Sequence, residues 1–210
     1  MTSDTTATRL LRLGALAGPL YVGIGILEVA LRPGFDIRRH ALSLMSNGDW
    51  GWVQIASFVL SGVLVIAGAV GLMRALAGGR GGKAVPILLM LYGLGLIGAG
   101  FFVADPMDGF PIGTPPGPPA TMSWHGPLHF MAGGIGFIGL IGAALVMAVR
   151  HSGRRETGAA LFALLTGLFF LGAFMAIASG KHSAAINLSF AAAVVVSWTW
   201  VTAVFRRAAR

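Results

Sequence analysis

Apolar residues run along this chain in six long blocks separated by short polar stretches. The blocks cover residues 11–31, 52–77, 84–104, 125–149, 157–179 and 184–205. Each supplies the roughly 20 mostly apolar residues that an α-helix needs to cross a bilayer. The pattern predicts an all-α fold, a polytopic integral membrane protein of six transmembrane helices. They form a single domain over residues 1–210, because the blocks leave no room for a separate soluble unit. The first block follows Arg9 and Arg12, as the apolar core of a signal peptide would. It is long, however, contains Glu28, and ends in Leu31-Arg32-Pro33 without a small-residue cleavage site. It reads as an uncleaved first span.

Composition agrees and excludes the alternatives. The chain is 56% hydrophobic and 10% charged, with a mean hydropathy of +0.81. Soluble domains carry about 25% charged residues. A soluble enzyme, a nucleic-acid module and a disordered chain are therefore ruled out. The net charge of +8 would suggest nucleic acid in a soluble protein; here it sets topology. Arg9, Arg12, Arg74, Arg80, Lys83, Arg150, Arg154, Arg155, Arg206, Arg207 and Arg210 fall at one end of the spans, against Arg32, Arg38, Arg39 and Lys181 at the other. The richer side is expected to be cytoplasmic. That puts both termini inside, the protein in the cell inner membrane, and two structured loops outside. With no cysteine, disulfides, thiolate metal sites and cysteine nucleophiles are excluded.

Acids and histidines sort the other way. Glu28, Asp36, Asp49, Asp105 and Asp108 fall at the outer end, and only Asp4 and Glu156 inside; His40, His125, His129 and His182 are outer, and His151 is inner. The functional face is thus expected outside, in segments 32–51 and 105–124. In the first, Asp36 is placed to cap a short helix closing near Gly48, which would set Asp36, His40, Ser43 and Asn47 on one face. Trp50 and Trp52 would anchor the next span at headgroup level. The second segment holds six of the ten prolines and reads as a stiff cover. It delivers His125 and His129, spaced i, i+4 so that both imidazoles can grip one metal ion, although Pro127 between them belongs in a first helical turn. Pro33-Gly-Phe-Asp36 and Asp108-Gly-Phe-Pro111 form a faint internal repeat. Gly14 and Gly18, and Gly133, Gly136, Gly139 and Gly142, are small-residue steps that let helices pack closely, within one chain or in a homo-oligomer.

These loops carry a resemblance. Residues 32–43, Ser46-Asn-Gly-Asp-Trp-Gly-Trp-Val-Gln54, Asp105-Pro-Met-Asp-Gly-Phe-Pro111 and Ser123-Trp-His-Gly-Pro-Leu-His129 resemble the bacterial membrane family catalogued as domain of unknown function 998. The resemblance covers essentially the whole chain. It implies a compact six-helix inner-membrane protein and no assigned reaction. In chemistry alone, the outer histidines with Asp and Ser also look like the zinc site of alkaline ceramidases and adiponectin-type receptors, although those have seven spans.

Two readings of the outer residues follow. In the first, His40, His125 and His129 bind zinc or another divalent metal and leave one position for water, whose pKa the ion lowers. Asp105 or Asp108 acts as general base, Asp36 orients His40, and Ser43 steadies an oxyanion, giving a hydrolase for a lipid or other apolar substrate. In the second, the Asp and His side chains are structural caps, and the protein binds or transports a lipid or isoprenoid without chemistry. Glu28, Arg38, Arg39, Asn47 and Trp124 are the candidate ligand contacts, with Lys181 beside them. Glu28 has a plainer reading too, an ion pair with Arg32 at i, i+4. The expected partners are membrane lipids and a small apolar molecule.

Overall fold

The computed structural model describes residues 5–76, 78–79, 81–119, 121–181 and 183–210. Asp4, Ala77, Arg80 and His182 lie outside the described residues. Among the described residues, seven α-helices make six spans: α1 (Thr5–Gly14) and α2 (Ala17–Leu31) together, then α3 (Gly51–Ala75), α4 (Ala84–Phe101), α5 (His125–Gly153), α6 (Thr157–Ala178) and α7 (Ala184–Ala208). All six are long and apolar enough to cross a membrane. Each span packs on its chain neighbours, and α7 returns to α1 and α2, closing the bundle into a ring. Aromatic side chains from four helices fill its middle. Trp198 stacks on Tyr21 with centroids 5.0 Å apart and tilts against Tyr92 at 5.4 Å, while Phe58 meets Tyr21 at 5.9 Å. Lipid tails are as apolar as these rings, so the ring closes by packing contact and not by escape from water.

The first span is broken where one continuous helix was expected. Pro19 has no N–H to offer the carbonyl of Ala15, and its ring crowds that carbonyl. The chain turns through Ala15 and Leu16 and resumes with Leu20 N–H donating to Leu16 O. The glycines flanking the break are contact points. A Cβ at Gly14 would lie 2.6 Å from the Gly68 Cα on α3, and one at Gly18 would lie 2.8 Å from the Trp198 carbonyl on α7. Gly136 and Gly139 likewise meet Gly95 and Leu88 of α4. These small-residue steps serve contacts within the chain.

The loop segment departs furthest from expectation. No α-helix spans 36–48. A turn at Asp36–His40 leads, through extended Ala41, into a 3-10 helix at Leu42–Ser46. Asp36 uses its carboxylate to accept the Arg38 N–H at 2.9 Å, closing a turn two residues long. The shared helical face of Asp36, His40, Ser43 and Asn47 therefore does not form. α4 also stops at Phe101, three residues short of the apolar block's end, and α5 continues to Gly153, past the block's limit at 149.

Gly18→Ala is expected to push α2 from α7 and destabilise the protein by about 1–3 kcal/mol, the usual cost of overpacking. Gly23→Ala, with nothing within 4 Å of the added methyl, should leave the melting temperature in detergent unchanged. Equal melting of both variants would refute the close approach.

Candidate functional site

The loop end is organised on a buried arginine. Arg32 follows α2 directly and its side chain is only 8% exposed. One guanidinium nitrogen donates to Glu28 Oε1 at 3.1 Å and to Met45 O at 2.8 Å; the other donates to Asn47 O. The same group lies over the Phe110 ring, 5.4 Å from its centroid. Asn47 continues the stitching, giving its side-chain N–H to Ala104 O at 3.0 Å. The two repeat elements meet here. Phe35 and Phe110 pack edge to face at 5.3 Å, and His40 touches both. Glu28 and Asn47 thus belong to the scaffold. Glu28 retains one buried carboxylate oxygen, Oε2, without a hydrogen-bond partner among the described residues.

The sequence-derived candidates fall into separate groups. His40 bridges the two loops: its Nδ1 accepts the Asp36 N–H at 2.9 Å, and its Nε2 faces Asp108 O at 3.1 Å. A carbonyl can only accept, so the hydrogen belongs on Nε2, and both ring nitrogens are committed. His129 and His125 serve the end of α4. His129 Nδ1 reaches Ala99 O at 3.0 Å and Phe102 O at 2.7 Å, and His125 Nδ1 reaches Val103 O at 2.7 Å. The last carbonyls of a helix have no intrahelical donor, and these imidazoles supply one. Asp105 accepts the Ser123 N–H at 3.2 Å, and Ser123 Oγ in turn accepts the Gly126 N–H in the first turn of α5, so Asp105 holds the residue that serves the start of the helix. Trp124 stands exposed beside Phe102 and His125.

The expected three-histidine centre is not assembled. Among the described residues no group of three His, Cys, Asp or Glu side chains is placed to hold a metal ion. The i, i+4 spacing of His125 and His129 is real, but their Nδ1 atoms turn to backbone carbonyls. Ser43 sits half-buried with its carbonyl accepting from Ser46 Oγ at 2.7 Å. Among the described residues no hydrogen bond links it to His40, His125 or His129.

What the loop end does form is a cleft of about 490 Å³. Asp36, Arg38, Arg39 and Asp108 line it together with Ser183, Ala184 and Asn187 at the start of α7. Asn187 donates to Arg38 O at 3.1 Å, fixing the arginine pair against α7. Arg38 grips Asp36 with two nitrogens, at 3.0 and 2.9 Å. These hydrogen bonds hold the Asp36 carboxyl down at about 2 and push the Arg38 guanidinium up. Arg39 leans on Asp108 O at 3.3 Å.

The opposite end carries a second cavity, of about 320 Å³, between α3, α5, α6 and α7. Sequence reasoning treats that end as connectors. Its arginines signal topology on their own, and nothing local announces that four helices leave a space between them.

His129→Leu should strand the Ala99 and Phe102 carbonyls and lower stability by about 1–3 kcal/mol. His129→Asn, which keeps a donor, should recover part of that loss in a thermal melt. A His129→Leu protein as stable as wild type would refute the capping role.

No curated protein and no solved structure matches the chain. One family model does match, and it covers residues 15–207. With nearly the whole bundle inside that match, the chain belongs to the membrane family described as protein of unknown function (DUF998).

Proposed function

We propose that the protein binds the headgroup of a membrane lipid at its loop end and performs no chemistry on it. The observation that carries this reading is the cleft between the two loops and α7, with two arginines and two carboxylates on its wall. Guanidinium groups suit phosphate, which they meet with paired N–H donors. Asp36, held ionised, and Asp108 stand beside them. That mixture matches a zwitterionic headgroup such as phosphoethanolamine, with phosphate toward Arg39 and ammonium toward the carboxylates. The volume is in the range of small-ligand clefts, about 300–1,000 Å³. The excess of Lys and Arg at the other end supports placing this cleft on the extracytoplasmic face of the inner membrane.

A metal-dependent hydrolase is the competing reading of the same loops. It requires His40, His125 and His129 to converge on one ion, with Asp105 or Asp108 as base. His40 spends both ring nitrogens on backbone groups, which favours binding over hydrolysis.

Native mass spectrometry on protein mixed with phosphatidylethanolamine in detergent tests the proposal. Arg38→Gln/Arg39→Gln should lower lipid retention about tenfold, the equivalent of one charge-assisted hydrogen bond. Retention equal to wild type would overturn the binding reading. Stoichiometric zinc in untagged protein would support the hydrolase instead.

A further inference from the structure

The cavity at the arginine end differs from the loop-end cleft in both charge and lining. Arg150, His151, Arg154 and Arg207 line it, above a floor that includes Met147 and Trp200. Among the described residues, one carboxylate, Glu156, adjoins them. Glu156 bonds His151 Nδ1 with one oxygen and Arg207 with the other, at 2.9 Å. The His151 hydrogen bond first, and then the Arg207 charge, hold the Glu156 carboxyl below its ordinary value. Among the described residues, three guanidinium groups and one carboxylate give this mouth a positive balance.

Its depth is apolar. The α7 wall runs from Trp200 to Ala208, about 12 Å at 1.5 Å per residue. Trp200 is almost fully buried, whereas Phe162 of α6 and Ala203 of α7 are exposed and form the side of the cavity between those helices. A free inorganic anion would use the arginines and leave the apolar wall without a role. An amphiphile uses both. The arginines stand at the ends of spans, at the level of lipid headgroups, where basic residues attract anionic lipid.

We infer that this cavity holds the phosphate headgroup of an anionic phospholipid, with the start of its acyl chain against Phe162, Ala203 and Trp200. The site is separate from the loop-end cleft, takes a different lipid class, and does not rest on that proposal.

Native mass spectrometry of the full chain in detergent, titrated with phosphatidylglycerol, phosphatidylcholine or inorganic phosphate, tests this inference. Phosphatidylglycerol should be retained over phosphatidylcholine and should survive excess inorganic phosphate. Arg154→Gln/Arg207→Gln should lower its retention about tenfold. Ala203→Phe, which fills the apolar side and keeps every charge, should lower it too. Arg206→Gln, outside the cavity, should bind as wild type does. Arg154→Gln alone, an exposed change at the end of α5, secures the reading should the double variant misfold, and is expected to lose several-fold. Equal retention of both lipids, displacement by inorganic phosphate, or wild-type retention in Arg154→Gln and Ala203→Phe would each overturn the assignment.

Discussion

The loop end depends on what happens to one charge. Arg32 leaves α2 at the edge of the apolar region, where an unpaired guanidinium is costly and water is scarce. Its side chain is buried all the same, because Glu28, two loop carbonyls and the Phe110 ring surround it. The partners come from three stretches of chain: the last turn of α2, the 3-10 turn with its C-cap Asn47, and the second loop. Satisfying Arg32 therefore fixes how the two loops sit on the bundle. The histidines do the same work on a smaller scale, joining loop to loop at His40 and α4 to α5 at His125 and His129.

This arrangement gives the two ends of the ring opposite characters. At the loop end, backbone carbonyls freed by the ending helix and by irregular loops are met by Arg32, Asn47 and imidazole donors. Non-helical backbone near membrane depth is tolerated where protein satisfies it in this way. The cleft is left on the outside of the cap, between loops and α7. At the arginine end the described residues form no such cover, and the helices part around a positive, apolar-floored cavity. Arg32, Asn47 and the imidazoles serve backbone carbonyls at one end, and Arg150, Arg154 and Arg207 line the cavity at the other.

How far the fold was legible follows from range. Span number and position are readable because each depends on a continuous run of local composition. The Pro19 break was written in a single residue, yet its effect is only seen once the missing Ala15 bond is considered. The helix expected over 36–48 failed because Asp36 turns on itself through the Arg38 N–H, and Ala41 then adopts an extended backbone. For the site, the concentration of Asp and His at one end was legible, and so was the i, i+4 pair Glu28–Arg32. What they do was not. Which oxygen an imidazole faces depends on where α4 stops relative to α5. The remaining Arg32 bonds cross 13 and 15 positions, a separation that leaves no periodic trace. The arginine-end cavity is a property of four helix ends together and has no motif.

The central claim is that Arg32 couples the two loops. Hydrogen–deuterium exchange on wild type and Arg32→Lys tests it most directly, since lysine keeps the charge but lacks the fork that serves three oxygens. Faster exchange is expected in both 42–48 and 104–111, although the second segment is remote in sequence. Exchange altered only next to residue 32, with 104–111 unchanged, would contradict the account.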